Sequence, residues 1–85
     1  MKKAVETVGI VELVTYDSSM IENSVMNLKN NQLVVTFKKR EGAPIAEYQY
    51  DNVKIESYEA FRDSDSTGKA FLQFIKPYNG VRITD

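Results

Sequence analysis

Ser24-Val25-Met26-Asn27-Leu28-Lys29-Asn30-Asn31-Gln32-Leu33-Val34-Val35-Thr36-Phe37-Lys38-Lys39 is the stretch on which the fold turns. Two apolar, β-branched runs flank a polar centre at Asn30-Asn31. Asn tolerates positive φ, which a two-residue type I′ turn needs at both central positions. With that turn, Leu28 faces Leu33, Met26 faces Val35 and Ser24 faces Phe37. Most of the large apolar side chains then share one face, while Val25, Asn27, Val34 and Thr36 share the other. Register and hydrophobic pattern agree, so the stretch is an expected antiparallel hairpin.

On its C-terminal side, Lys38-Lys39-Arg40-Glu41-Gly42-Ala43-Pro44 reads as a polar loop ended by Gly and Pro. Residues 45–50 follow as a strand, with Ala46, Tyr48 and Tyr50 on one face and Glu47 and Gln49 on the other. On its N-terminal side, Asp17-Ser18-Ser19 is an expected turn, because all three side chains compete for nearby backbone groups. Residues 8–16 are dense in β-branched and aromatic residues. Apolar residues of both parities occur there, which predicts a bulge or a strand covered on both faces.

Past Asp51 the period becomes helical. Ile55, Tyr58 and Phe61 recur at i, i+3 and i+6, which predicts a short helix ending near Asp63. Ser64-Asp65-Ser66-Thr67-Gly68 is an expected turn, from which Asp65 or Ser66 caps a second helix. Ala70, Phe71, Phe74 and Ile75 give that helix one buried stripe, and Pro77 stops it. Residues 78–83 read as a short strand or a tail. The expected fold is α+β: an antiparallel β-meander of three to four strands packed on two short C-terminal helices. Its expected core is Leu13, Met26, Leu28, Leu33, Val35, Phe37, Tyr48, Tyr50, Tyr58, Phe61, Phe71, Phe74 and Ile75.

Composition narrows the function. The 85 residues make one expected domain, 1–85, with 1–17 as an N-terminal extension or extra strand and 77–85 as a tail or short strand. At this size folding buries about 60–65% of the unfolded chain's surface, enough for one modest core. The chain has no Cys and no His. Disulfides, thiol nucleophiles, imidazole or thiolate metal sites and His-based triads are therefore excluded. Lys2 and Lys3 resemble the start of a signal peptide, but Glu6 and Glu12 break the apolar run that should follow. No stretch approaches the roughly 20 apolar residues that span a bilayer. The expected location is the cytoplasm, with no membrane partner.

Several constellations compete with plainer readings. Tyr48-Gln49-Tyr50 offers two rings on which bases can stack, or two rings that pack beneath the helices. Ser66-Thr67-Gly68-Lys69 offers an anion-binding helix N-terminus, or an ordinary cap with a solvated lysine. It is not a P-loop, because no upstream Gly and no following Ser or Thr accompany Lys69. Lys38, Lys39 and Arg40, with Lys29, Lys69, Lys76 and Arg82, form a basic surface for phosphate, or simply a solvated loop that guards a strand edge. Asp63-Ser64-Asp65-Ser66-Thr67-Gly68 resembles the start of a calcium loop, but its twelfth position is Phe74, not the closing Glu. No catalytic residue, metal or cofactor is expected.

Read in order, Ser18-Ser19-Met20-Ile21, Leu33-Val34-Val35-Thr36-Phe37, Tyr48-Gln49-Tyr50, Val53, Tyr58, Ser66-Thr67-Gly68-Lys69-Ala70-Phe71 and Ile75-Lys76 resemble the KTSC domain. The resemblance covers about residues 18–76. It implies a small α+β domain of a kind found alone in bacterial and phage proteins and at the C-terminus of some lysyl-tRNA synthetases. RNA binding is the role that the synthetase context implies. The chain departs from the family pattern at Ser24-Val25-Met26-Asn27, at Lys54 in place of a helix-leading proline, and in the inserted Glu41-Gly42-Ala43-Pro44. Two functional expectations follow. One is a non-catalytic RNA-binding domain using Lys38, Lys39, Arg40, Tyr48, Tyr50, Lys69 and Lys76, with Ser66, Thr67 and Gly68 receiving an anion. The other is a protein-interaction module, such as a phage accessory protein acting in the host cytoplasm, that pairs a strand edge with a partner or with its own copies.

Overall fold

A computed structural model describes residues 4–38 and 45–83. Among them, β1 (Ala4–Val8), β2 (Val11–Thr15), β3 (Ile21–Asn27), β4 (Gln32–Phe37), β5 (Ala46–Tyr50) and β6 (Val81–Arg82) form one antiparallel meander in chain order. Helix α1 (Ile55–Asp63) and helix α2 (Thr67–Ala70) come between β5 and β6. Helix α2 runs on as a π-helical stretch, Phe71–Ile75, and a 3-10 turn, Lys76–Tyr78.

The α+β class and the two helices match the sequence reading, but the sheet has six strands rather than three to four. Two local signals account for the difference. Gly9 takes φ +61 and closes a two-residue turn between Val8 and Val11. Positive φ at the first central position alone is the type II′ pattern, for which Gly is the preferred residue. The apparent parity fault in 8–16 is thus a hairpin turn, not a bulge. At the other end, Asn79 takes φ 60 and turns the chain so that Val81 and Arg82 pair with β5.

The β3–β4 hairpin forms, with a different turn. Its loop is the four residues 28–31, and Asn27 pairs with Gln32. Only Asn31 takes positive φ. The Asn27 carboxamide oxygen accepts from the Lys29 N–H at 2.9 Å and the Asn30 N–H at 3.4 Å. The Asn31 side chain donates to the Val53 carbonyl at 3.0 Å, and the Val53 N–H returns a bond to the Asn31 carbonyl at 2.9 Å. This tie to the approach of α1 favours the longer loop. Met26 therefore faces Leu33 and Ser24 faces Val35, a slip that keeps every side chain on its expected face. Leu28 leaves the expected core and stands 38% exposed in the loop.

One row of cross-strand neighbours defines each sheet face. Val5, Val14, Ser24, Val35, Tyr48 and Arg82 lie beneath or beside the helices. Glu6, Leu13, Val25, Val34, Gln49 and Val81 lie on the outer face, which places Leu13 outside the core. The core closes between the first row and the helices. It joins Met26, Leu33, Val35, Tyr50, Tyr58, Phe61, Phe71 and Ile75 with Val14, Tyr16, Ile21, Val53 and Ala70. Phe37, Tyr48 and Phe74 pack against it partly buried.

Helix α1 is fastened by buried polar contacts as well as by Tyr58 and Phe61. The Tyr58 hydroxyl donates to Glu12 at 2.5 Å, and Arg62 donates to the same carboxylate oxygen at 3.0 Å. Tyr16 bonds Ser24 at 2.8 Å and stacks obliquely on Phe61 at 5.2 Å. The expected cap on α2 is absent: Ser66 makes no side-chain cap bond. Instead its N–H donates to the Ser64 hydroxyl at 3.0 Å, which turns the chain between the helices. Among the described residues, no helix is long and apolar enough to cross a membrane.

Candidate functional site

A cleft of about 490 Å³ lies between the sheet, at Phe37 of β4 and Tyr48 and Tyr50 of β5, and the segment from Phe71 to Gly80. Volumes of this order suit a small ligand or a single ligand moiety. Phe37, Tyr48, Tyr50 and Phe71 supply the aromatic wall, Met20 and Leu72 extend it, and Lys76, Asn79 and Gly80 complete the rim. The rings brace one another edge to face. Phe37 lies 5.1 Å from Phe71 and 5.7 Å from Tyr48, and Tyr50 lies 5.9 Å from Phe71. Such pairs add about 0.5–1.5 kcal/mol each beyond burial, so the wall is a preformed surface.

The two tyrosines divide the readings between them. Tyr50 is buried and serves as the cleft floor, and burial, then the neighbouring Tyr48, pushes its phenol up to about 12. Tyr48 is half-buried and presents part of its ring to the opening. Gly80 is required where it stands. A Cβ there would come within 2.2 Å of the Tyr50 ring. The Asn79-Gly80 turn thus lies flat against Tyr50 and carries the chain into β6.

The sequence-derived cations partly converge here. Lys76 lines the cleft. Lys69 is exposed two turns earlier on the same helical segment, with the 53%-exposed Leu72 between them. Lys38 follows Phe37 directly, and its N–H donates to the Met20 carbonyl at 2.9 Å. Arg82, a member of the expected basic surface, stands opposite Tyr48 on the same face. Lys39 and Arg40 lie outside the described residues. Ser66 and Gly68 start α2, Thr67 is buried, and Gly68 faces the Met20 side chain, where a Cβ would meet it at 3.6 Å. These three residues sit beside the Met20 end of the cleft and do not line it.

Charge is segregated along the chain. Residues 66–83 hold Lys69, Lys76 and Arg82 and no acid, whereas residues 4–28 hold Glu6, Glu12, Asp17 and Glu22 and no base. The acids of the calcium-like turn do not assemble. Asp63 is held by Arg62 through bonds of 2.7 and 2.8 Å, and no group of three potential metal ligands occurs among the described residues. Hydrogen bonding to Asp63, then to Glu12, keeps the Arg62 guanidinium firmly charged. Burial raises the Tyr58 and Tyr16 phenols well above their usual range. This second cluster joins α1 to β2.

Sequence reasoning placed Phe37 and Phe71 in the core and missed Met20, Leu72, Asn79 and Gly80. The Asn-Gly pair after Pro77 was the available signal, since it marks a turn that folds the tail back onto the sheet. No curated protein and no solved structure matches the chain. A family model, that of the KTSC domain, matches residues 17–78.

Proposed function

The chain belongs to the KTSC domain family, and from its cleft we propose that it is a non-catalytic domain that binds single-stranded RNA. The observation that carries this reading is the pairing of a braced aromatic wall with a rim whose segment, 66–83, has three cations and no acid. Unpaired bases stack on such rings for about 1–3 kcal/mol each, while lysines take the phosphates. Tyr48 is the base platform. Lys76 takes the nearest phosphate, and Lys38 and Lys69 extend the phosphate path past Met20. A cytoplasmic location belongs to the same reading.

The test uses a fluorescein-labelled single-stranded RNA of mixed sequence, titrated with the full chain. Three phosphate contacts give a slope of log K against log salt of about −2, hence about 20-fold weaker binding at 200 mM than at 50 mM salt. Lys76→Gln should flatten that slope by about 0.7, and Tyr48→Ala should weaken binding at least about 5-fold at every salt concentration. No binding at low salt overturns the reading, as does binding that both variants leave intact.

A further inference from the structure

The far edge of the sheet is built for a different partner. Among the described residues, β1 has one neighbouring strand, β2, and all five of its residues are exposed. Val5 is 51% exposed and Val8 69%. The hydrogen-bond phase of the hairpin can be read from β2. Ile10 accepts from the Leu28 N–H at 2.8 Å, and the Tyr16 N–H donates to the Glu22 carbonyl at 3.1 Å. Even-numbered residues of β2 therefore bond to β3, and by alternation Val11, Leu13 and Thr15 bond to β1. Their partners are Val8, Glu6 and Ala4. The N–H and C=O groups of Val5 and Thr7 consequently point away from the sheet, in hydrogen-bonding position for one more strand.

Protein edges are commonly blunted by lysine, proline, a bulge or shortness. The opposite edge, β6, has two residues. β1 has five, pairs with β2 without a register shift, and contains neither lysine nor proline. Its one charge is Glu6, at the middle, whose neighbour across the hairpin is Leu13. Glu12, the other acid of the hairpin, lies on the helix-side face and is paired with Arg62, so within β1 and β2 Glu6 is the carboxylate left for an incoming strand.

We propose that the free edge of β1 receives an extended segment of a partner protein, paired antiparallel, that sets a Lys or Arg against Glu6. Val5 and Thr7 bond the incoming backbone on either side of that contact. Glu6 then occupies the non-hydrogen-bonded position, where side chains across two strands approach most closely. The same residue opposes self-association. Two copies pairing β1 to β1 in full overlap set Glu6 against Glu6, and like charges directly opposite are unfavourable.

A mixture of two forms of the protein tests this with the edge in place. Glu6→Lys supplies a strand of the required charge on an exposed position. Wild type and Glu6→Lys should form a 1:1 heterodimer in sedimentation velocity, at least about tenfold tighter than either homodimer and weakened by salt. In labelled wild type, amide exchange should slow at Val5 and Thr7 when the unlabelled variant is added. Thr7→Pro in both forms should abolish the heterodimer and leave the fold intact, because that N–H makes no bond within the sheet. Absence of a heterodimer at millimolar concentration overturns the proposal, and so does a heterodimer that survives Thr7→Pro in both forms. Neither result bears on RNA binding at the cleft.

Discussion

The two ends of the sheet are made by opposite means. At the N-terminal end, β1 and β2 are a regular hairpin with a glycine turn, four acids in and around it, and an edge left open. At the C-terminal end, β6 is two residues long and is held there by a helical segment that widens, tightens and turns at Asn79-Gly80. The first end offers backbone and negative charge, and the second offers aromatic surface and positive charge. A net charge of −1 conceals this division. The two proposed contacts therefore use different surfaces of one small sheet.

The sharpest way to break that comparison is to remove the N-terminal end. The family match begins at residue 17, yet Glu12, Val14 and Tyr16 complete the core on the near side of that boundary. Deleting residues 1–16 removes two buried side chains, the Tyr16–Ser24 bond and the carboxylate that holds Tyr58 and Arg62. Leaving such buried polar groups unpaired costs about 1–3 kcal/mol each, on top of about 1.5–3 kcal/mol per buried side chain. The sum rivals the whole stability of a domain this size, about 4–13 kcal/mol. The truncated chain should show no cooperative thermal transition by circular dichroism. By contrast, Thr7→Pro should leave the melting curve nearly unchanged, since it touches only the open edge.

A smaller change breaks the other end. Gly80→Ala places a methyl group where the Tyr50 ring lies, so the ring must leave its edge-to-face contact with Phe71 and move into the cleft. Overpacking of this kind costs about 1–3 kcal/mol. The denaturation midpoint should fall accordingly, and RNA affinity should fall with it, because Tyr50 forms the cleft floor. An unchanged midpoint would mean that the turn is free to move off the ring, and that the cleft is not preformed.

Much of this was legible in the chain. Faces were, because a slip of two residues in pairing leaves parity intact, so Met26, Leu33, Val35, Tyr48 and Tyr50 fell on the correct side despite the wrong turn. Helix α1 was, because Ile55, Tyr58 and Phe61 repeat at helical spacing before a polar break. The true loop at 28–31 was not, since its length is chosen by Asn31 bonding to Val53, 22 residues away. Gly9-Ile10 was legible but masked by apolar residues on both sides. The cleft was half legible. Tyr48, Tyr50 and Lys76 stand out by type, whereas Gly80 matters only through its distance from a ring 30 positions earlier.

The smallest effect is nil at neutral pH and appears only in alkali, and it separates the two ends by their tyrosines. Tyr50 at the cleft titrates near 12 in the folded chain against an unperturbed value of about 10. A raised folded-state value means that the neutral phenol is the form the fold accepts. Between about pH 10 and pH 12 the unfolded chain has released this proton and the folded chain has not, so stability must fall as pH rises through that window, and is fully present below it. Tyr16 and Tyr58, beside the N-terminal hairpin, are raised further, because burial is joined at both by the Glu12 carboxylate. Their phenolates should therefore appear only as the domain opens. Phenolate absorbance followed against pH should show the Tyr50 phenol ionising with the sheet intact, before Tyr16 and Tyr58, which ionise together with loss of the circular dichroism signal. In Tyr50→Phe the absorbance change between pH 10 and 12 should lose one phenol's amplitude, and the loss of stability in that window should shrink. If all three phenols ionise together at the pH where Tyr50→Phe also unfolds, the cleft floor is no easier to charge than the core, and the two ends do not differ in this respect.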